Sequence, residues 1–145
     1  MRNLTITLAF IFAMSIATLA RSESLEQLKA RLQRADTGQR IETCLQIARL
    51  QLDNADKLYN DGKIEQARAA ITDVVSYTEQ AGDSAAKSGK KLKKAEILVR
   101  QMANKLRDIK HSLNYDDQAP VQEAAEHLEK VRSSLLAAMF GKSNQ

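Results

Sequence analysis

The side chains with the clearest chemical potential in this sequence are a run of lysines and arginines. Residues 87–111 carry nine basic side chains and two acidic ones, Glu96 and Asp108, although the whole chain has a formal net charge of only +4. Such a concentration of positive charge predicts a surface that binds an anionic partner, such as a lipid headgroup, lipopolysaccharide, an acidic protein or another polyanion. The candidate binding residues are Lys87, Lys90, Lys91, Lys93, Lys94, Arg100, Lys105, Arg107 and Lys110.

The same basic run also has a purely structural interpretation. The last predicted helix carries Glu123, Glu126 and Glu129, which would neutralise part of a solvated basic face. Nucleic acid is disfavoured as the partner, because aromatic side chains that could stack on bases do not alternate with these lysines. A binding surface and a neutralised helix face therefore both stay open.

Residues suited to catalysis or metal binding are scarce. The sequence contains no Gly-rich phosphate loop, no G-x-S-x-G motif and no H-E-x-x-H motif. Its two histidines, His111 and His127, are expected about 7 Å apart along a helical bundle, which is too far to share one ion. We therefore predict no enzymatic activity, no metal and no cofactor. A periplasmic metal- or haem-binding bundle centred on these histidines is kept as an alternative.

Cys44 is the single cysteine of the chain, so an internal disulfide is excluded. It lies beside an apolar stripe of helical periodicity, which predicts a small buried side chain. An intermolecular disulfide is the alternative, because a free thiol is unusual in an oxidising compartment.

Residues 1–20 have the pattern of a secretory signal peptide. One positive charge at Arg2 precedes an apolar run that begins at Leu4, and small residues lead to a cleavage position after Ala20. The apolar run is short for a membrane span, although an uncleaved anchor is the alternative. We therefore predict an exported protein, periplasmic or secreted and bacterial, whose folded domain is residues 21–145 and has no transmembrane segment.

Hydrophobic periodicity predicts that this domain is all-α. The sequence has no Trp, one Pro and five Gly, which disfavours β folds. From Ile64 to Leu113, alternate steps of three and four residues meet an aliphatic residue or Met at thirteen of 15 positions. This unbroken heptad phase predicts one long central helix with a coiled-coil-like apolar stripe. The alternative is a break near residues 81–84, because Gly82 and Gly89 weaken a helix interior.

Shorter stripes predict the other helices. Residues 41–59 form one stripe that ends at Gly62, residues 25–35 form another, and residues 121–138 form a third that begins just after Pro120. The predicted helices span residues 22–36, 38–60, 63–113 and 120–140. Together they predict an elongated antiparallel hairpin that becomes a three-helix bundle near residues 88–98. Because two-helix packing buries little surface, a homodimer is also expected as one alternative.

Two local resemblances concern the predicted turn at residues 55–70, with Asn60-Asp61-Gly62-Lys63 at its centre and Ala67 and Ala70 after it. These residues resemble the final hairpin of the soluble four-helix b-type cytochromes of the periplasm. That family needs an N-terminal Met and a His in its last helix, and neither is found at the matching positions, so haem binding does not carry over. The same residues resemble half of a tetratricopeptide repeat, of which only one unit is visible.

These observations predict an exported, non-enzymatic helical protein with a structural or binding role in the cell envelope. The partner is an unidentified protein or an anionic envelope component, reached through residues 87–110. A helical adaptor or chaperone-like hairpin, degenerate and similar to a tetratricopeptide repeat, is the first alternative.

Overall fold

The computed structural model describes residues 23–141, and the regular structure in that range is entirely helical. Helices α1 to α5 span Leu25–Leu32, Thr37–Asn60, Ile64–Ser88, Leu92–Ser112 and Gln118–Gly141. A single 3-10 turn, Tyr115–Asp117, precedes α5. The predicted all-α class is therefore confirmed, whereas the predicted signal peptide at residues 1–20 lies outside the described residues.

Local chemistry explains where the first helices begin and end. Ser24 and Asp36 each accept a hydrogen bond from the backbone N–H three residues later, and Gln27 and Gln39 return the bond. These reciprocal bonds are capping boxes, which satisfy N–H groups that a helix start leaves without a partner. Asp36 is therefore the N-cap of α2. Gly62 follows α2 with φ of 74°, as expected for a helix stop.

The predicted continuous helix over residues 63–113 is wrong. The chain leaves the helix after Ser88, because Gly89 has φ of 71° and Lys91 has φ of 58°. Glycine adopts this left-handed conformation without a steric penalty, and two such residues so close together end a right-handed helix. The break also falls later than the alternative at residues 81–84, which lie inside α3. The longest helix within residues 23–141 has 25 residues.

Four helices lie side by side, so the predicted elongated hairpin and three-helix bundle are replaced by a four-helix bundle. The largest interfaces join α2 to α3 and α4 to α5 as antiparallel pairs. Contacts between the two pairs show that α3 and α5 run parallel, since Arg68 bonds Asp117 and Glu79 bonds His127. A bundle of 25-residue helices is about 37 Å long, half the length expected for one helix over residues 63–113.

Helix α1 packs on the outside of α2. The sequence had predicted that residues 25–35 would instead form part of the three-helix bundle near residues 88–98. Arg31 fixes this position, because its Nε donates to Thr43 Oγ1 at 3.3 Å and its Nη2 donates to Gln46. Leu28 is the buried apolar residue of α1. The apolar stripe at residues 25–35 therefore packs against one neighbouring helix, α2.

The predicted apolar stripes supply most of the core. Every stripe residue of α2 is buried: Ile41, Leu45, Ala48, Leu52, Ala55 and Tyr59. The stripe that predicted a long helix is mostly buried on both sides of the break; Ile64, Leu92 and Leu113 are partly buried, and Ser88 is exposed. The heptad phase persists because α3 and α4 face the same core. With four helices around it, the thin packing that favoured a homodimer is absent from the described residues.

The buried hydroxyl of Thr78 gives a stability prediction. Thr78 is fully buried in α3, and its Oγ1 has no hydrogen-bond partner among the described residues. An unsatisfied buried hydroxyl costs about 1–3 kcal/mol, so Thr78→Val should raise the free energy of unfolding by about 1 kcal/mol. Chemical denaturation measures this change. Thr72→Val in the same helix is the control, because that exposed hydroxyl donates to the Arg68 carbonyl and its loss should change little. A destabilised Thr78→Val protein would contradict the expectation.

Candidate anion-binding end of the bundle

Three chain segments meet at one end of the bundle. Glu42, near the start of α2, forms ion pairs with two lysines. Its Oε1 lies 2.7 Å from Lys94 Nζ and 3.2 Å from Lys91 Nζ. These contacts place the start of α2 beside the start of α4. Because α3 runs parallel to α5, the last turn of α5 also reaches this end.

This end of the bundle is basic, and we call it the basic end. Its exposed cationic side chains come from the α1–α2 connection, the first turn of α2, the last turn of α3, the α3–α4 connection and the first turn of α4. They are Arg34, Arg40, Lys87, Lys90, Lys91, Lys93 and Lys94. Asp36 is the acidic residue of these segments, and Glu42, Asp83 and Glu96 lie one turn further along their helices, so positive charge predominates.

The lysines of the basic end differ in how far they are neutralised. Lys91 and Lys94 share the single carboxylate of Glu42, and the hydrogen bonds from Lys94 and then Lys91 lower the pKa of that carboxyl. The side chains of Lys87, Lys90 and Lys93 make no hydrogen bond or ion pair within the described residues, although the backbone N–H of Lys90 donates to Ser88 Oγ. We call Lys87, Lys90 and Lys93 the unpaired lysines, and their charge faces solvent.

The start of α4 adds to this positive potential. Helix α4 has no side-chain cap and no acidic residue in its first turn. Helix N-termini carry a partial positive charge, so acidic residues are the usual choice there. Lys91, Lys93 and Lys94 instead place like charge at this terminus, which an external anion would relieve.

The other four predicted binding residues lie along the sides of the bundle and are bonded within it. Arg107 pairs with Glu129 at 2.8 Å, Arg100 approaches Glu96 at 3.5 Å, and Lys110 donates to Gln122 at 2.8 Å. Lys105 bonds Asp56, which raises the pKa of the lysine. The structure therefore brings Lys87, Lys90, Lys91, Lys93 and Lys94 together and separates Arg100, Lys105, Arg107 and Lys110 from them.

Arg34 and Arg40 also belong to the basic end, although neither is among the predicted binding residues. Both lie about fifty residues before the lysine run, and both are exposed. The antiparallel packing of α2 on α3 and its parallel packing on α4 bring both arginines to this end. The predicted hairpin at Gly62 already places the start of α2 beside the lysine run, so the sequence carried a signal for Arg34 and Arg40.

The residues considered for metal or thiol chemistry are not assembled into a site in the described part of the chain. His127 Nδ1 lies 2.9 Å from Glu79 Oε1, while His111 is exposed on α4. Residues 23–141 hold no group of three His, Cys, Asp or Glu side chains that could bind a metal. Cys44 is buried, and this burial raises the pKa of its thiol, which agrees with its interpretation as a small apolar residue.

Comparison of the chain with protein-family models, with curated proteins and with solved structures gives no match. Among the helices of residues 23–141, none combines the length and the apolar character that crossing a membrane requires. The basic end is therefore the feature of the molecule from which a function can be inferred.

Proposed function

We propose that this chain is an exported, non-enzymatic binding protein of the cell envelope that engages an anionic partner through the basic end. The observation that carries the proposal is the group of three unpaired lysines at the α3–α4 connection. Exposed lysines without acidic partners concentrate positive potential that attracts anions. Lys91 and Lys94 contribute further charge, because one carboxylate cannot neutralise both.

This proposal narrows the binding surface from the whole basic run to one end of the molecule. Arg107 and Lys110 already bond to side chains of α5, so their use by an outside partner would break contacts within the bundle. The unpaired lysines lose no internal contact when they bind. An anion is therefore expected to meet Lys87, Lys90 and Lys93 first.

The experiment compares two triple variants that remove the same amount of charge. K87Q/K90Q/K93Q removes the unpaired lysines, and K57Q/K63Q/K130Q removes three exposed lysines from elsewhere on the bundle. Dextran sulfate serves as a soluble polyanion, and its affinity is measured by titration at low and high salt. We expect the first variant to bind at least about tenfold more weakly at low salt, since tenfold requires only about 1.4 kcal/mol.

The control variant should stay within about threefold of the unaltered protein, a difference well under 1 kcal/mol. All six side chains are exposed, so circular dichroism should show unchanged helix content in both variants. Equal weakening of both would mean that net charge alone governs binding, and would overturn the assignment to the basic end. Binding that does not weaken as salt rises would also contradict it, because exposed charges are screened by salt.

A further inference from the structure

An exposed aromatic residue lies at the same end of the bundle as the unpaired lysines. Phe140, in the last turn of α5, has 66% of its surface exposed. Contacts fix its level along the axis, because His127 faces Glu79 and Val131 faces Gly82. Continuing this parallel register places Phe140 level with the end of α3 and the α3–α4 connection. Leu136 and Met139 in the same turn are partly exposed.

Among the described residues, the opposite end of the bundle has no comparable excess of positive charge. Its carboxylates Asp61, Glu65, Asp116 and Asp117 lie beside Lys63 and Arg68, and Arg68 pairs with Glu65 and Asp117. This opposite end also bears an exposed aromatic residue, Tyr115, with 86% of its surface exposed. A molecule with this uneven charge distribution orients in the field of an anionic surface, with its basic end inward.

Lysines beside exposed apolar side chains fit one class of anionic partner better than the others. A soluble polyanion neutralises the lysines but offers no apolar contact to Phe140. The headgroup region of an anionic bilayer supplies both, since amphipathic segments place charges at the headgroups and apolar residues about 5–10 Å deeper. Lysine side chains reach headgroup level while aromatic rings lie below them.

We propose that the partner of the basic end is an anionic lipid surface, contacted end-on, with the unpaired lysines at the headgroups and Phe140 inserted between lipids. This inference rests on the proposed function and names its partner class. It predicts that lysines and Phe140 contribute separately, because one group meets phosphate and the other meets acyl chain.

The first arm of the test measures vesicle binding. Sedimentation with vesicles of phosphatidylglycerol and phosphatidylcholine is compared with sedimentation with pure phosphatidylcholine vesicles. Every variant uses the same full chain, so any contribution of residues 1–20 is common to all. The K87Q/K90Q/K93Q variant should lose about 100-fold in affinity for the anionic vesicles, since each lysine near an anionic surface contributes about fivefold.

The second arm separates insertion from charge. Phe140→Ala should weaken binding to anionic vesicles about tenfold and leave dextran sulfate binding unchanged. Tyr115→Ala, at the opposite end of the bundle, should change neither vesicle binding nor dextran sulfate binding. The chain has no Trp, so Phe140→Trp and Tyr115→Trp are clean fluorescent reporters. We expect a blue shift and quenching by brominated lipid for Phe140→Trp, and neither change for Tyr115→Trp.

The outcomes distinguish failure of this inference from failure of the proposed function. If dextran sulfate binding requires the unpaired lysines but Phe140→Trp shows no blue shift on anionic vesicles, the lipid assignment is overturned and the proposed function survives. If neither probe depends on the unpaired lysines, both fail. A blue shift of equal size at positions 115 and 140 would overturn the end-on orientation.

Discussion

Gly82→Ala is expected to destabilise the protein by about 1–2 kcal/mol, although alanine is the better helix former by about 1 kcal/mol. Gly82 is buried in α3, where α5 approaches closely. A Cβ atom placed on Gly82 would lie 2.4 Å from Cγ1 of Val131. Overpacking of this kind costs about 1–3 kcal/mol, and Val131 cannot easily turn away, because a valine in a helix has one strongly preferred rotamer.

The matched experiment places the same substitution in a Val131→Ala background. With Cγ1 absent, the added methyl group has room, so Gly82→Ala should then stabilise the protein by about 1 kcal/mol through helix propensity. Urea denaturation of the four proteins gives the coupling energy between the two sites, which we expect to be about 2–3 kcal/mol. Additive effects in this cycle would show that α3 and α5 do not approach closely at Gly82.

The fold could be predicted from the sequence as far as local periodicity reaches. The stripe from Ile41 to Tyr59 and the stop at Gly62 gave α2 and its turn, and both agree with the structure. Periodicity could not detect the break at Gly89, because Ala85 and Ala95 face one common core on both sides of it. A phase that persists shows that residues share a core, and it does not show that they share a helix.

Gly82 and Gly89 also show that local sequence does not determine the structural role of a residue. Both are glycines within one predicted helix, seven residues apart, and the sequence offers no clear reason to treat them differently. In the structure, Gly82 is helical and serves a close approach to Val131, whereas Gly89 adopts φ of 71° and ends α3. The neighbouring helix decides which role each has, so the choice depends on tertiary packing.

Tertiary packing also limits how much of the candidate site the sequence can predict. Lys87 to Lys94 lie together in the structure because neighbours in sequence stay neighbours at a turn, and their role in binding stays a prediction. Pairing of Arg107 with Glu129 depends on how α4 and α5 face each other, which local spacing does not determine. The exposed Phe140 reaches the same end because α5 packs antiparallel to α4 and parallel to α3.

Replacing Glu96 by alanine should lower the free energy of unfolding by about 2 kcal/mol. Glu96 is buried in α4, and its Oε1 accepts from Arg132 Nε of α5 at 2.8 Å. Arg132 also approaches Glu129, which pairs with Arg107, so the network joins α4 to α5 at two levels. Breaking a buried ion pair costs about 3–5 kcal/mol, and the partial exposure of Arg132 reduces this value.

We expect the loss of stability in Glu96→Ala to come from leaving Arg132 without its buried partner, and not from removing a negative charge in general. Asp108→Ala removes the same charge from an exposed position of the same helix and should change the stability by less than about 0.5 kcal/mol. The double variant Glu96→Ala/Arg132→Ala should be less destabilised than the sum of the two single variants, because each substitution removes the partner that the other leaves unpaired. If Glu96→Ala proves as mild as Asp108→Ala, the network is a solvated surface feature, and apolar packing alone holds α4 and α5 together.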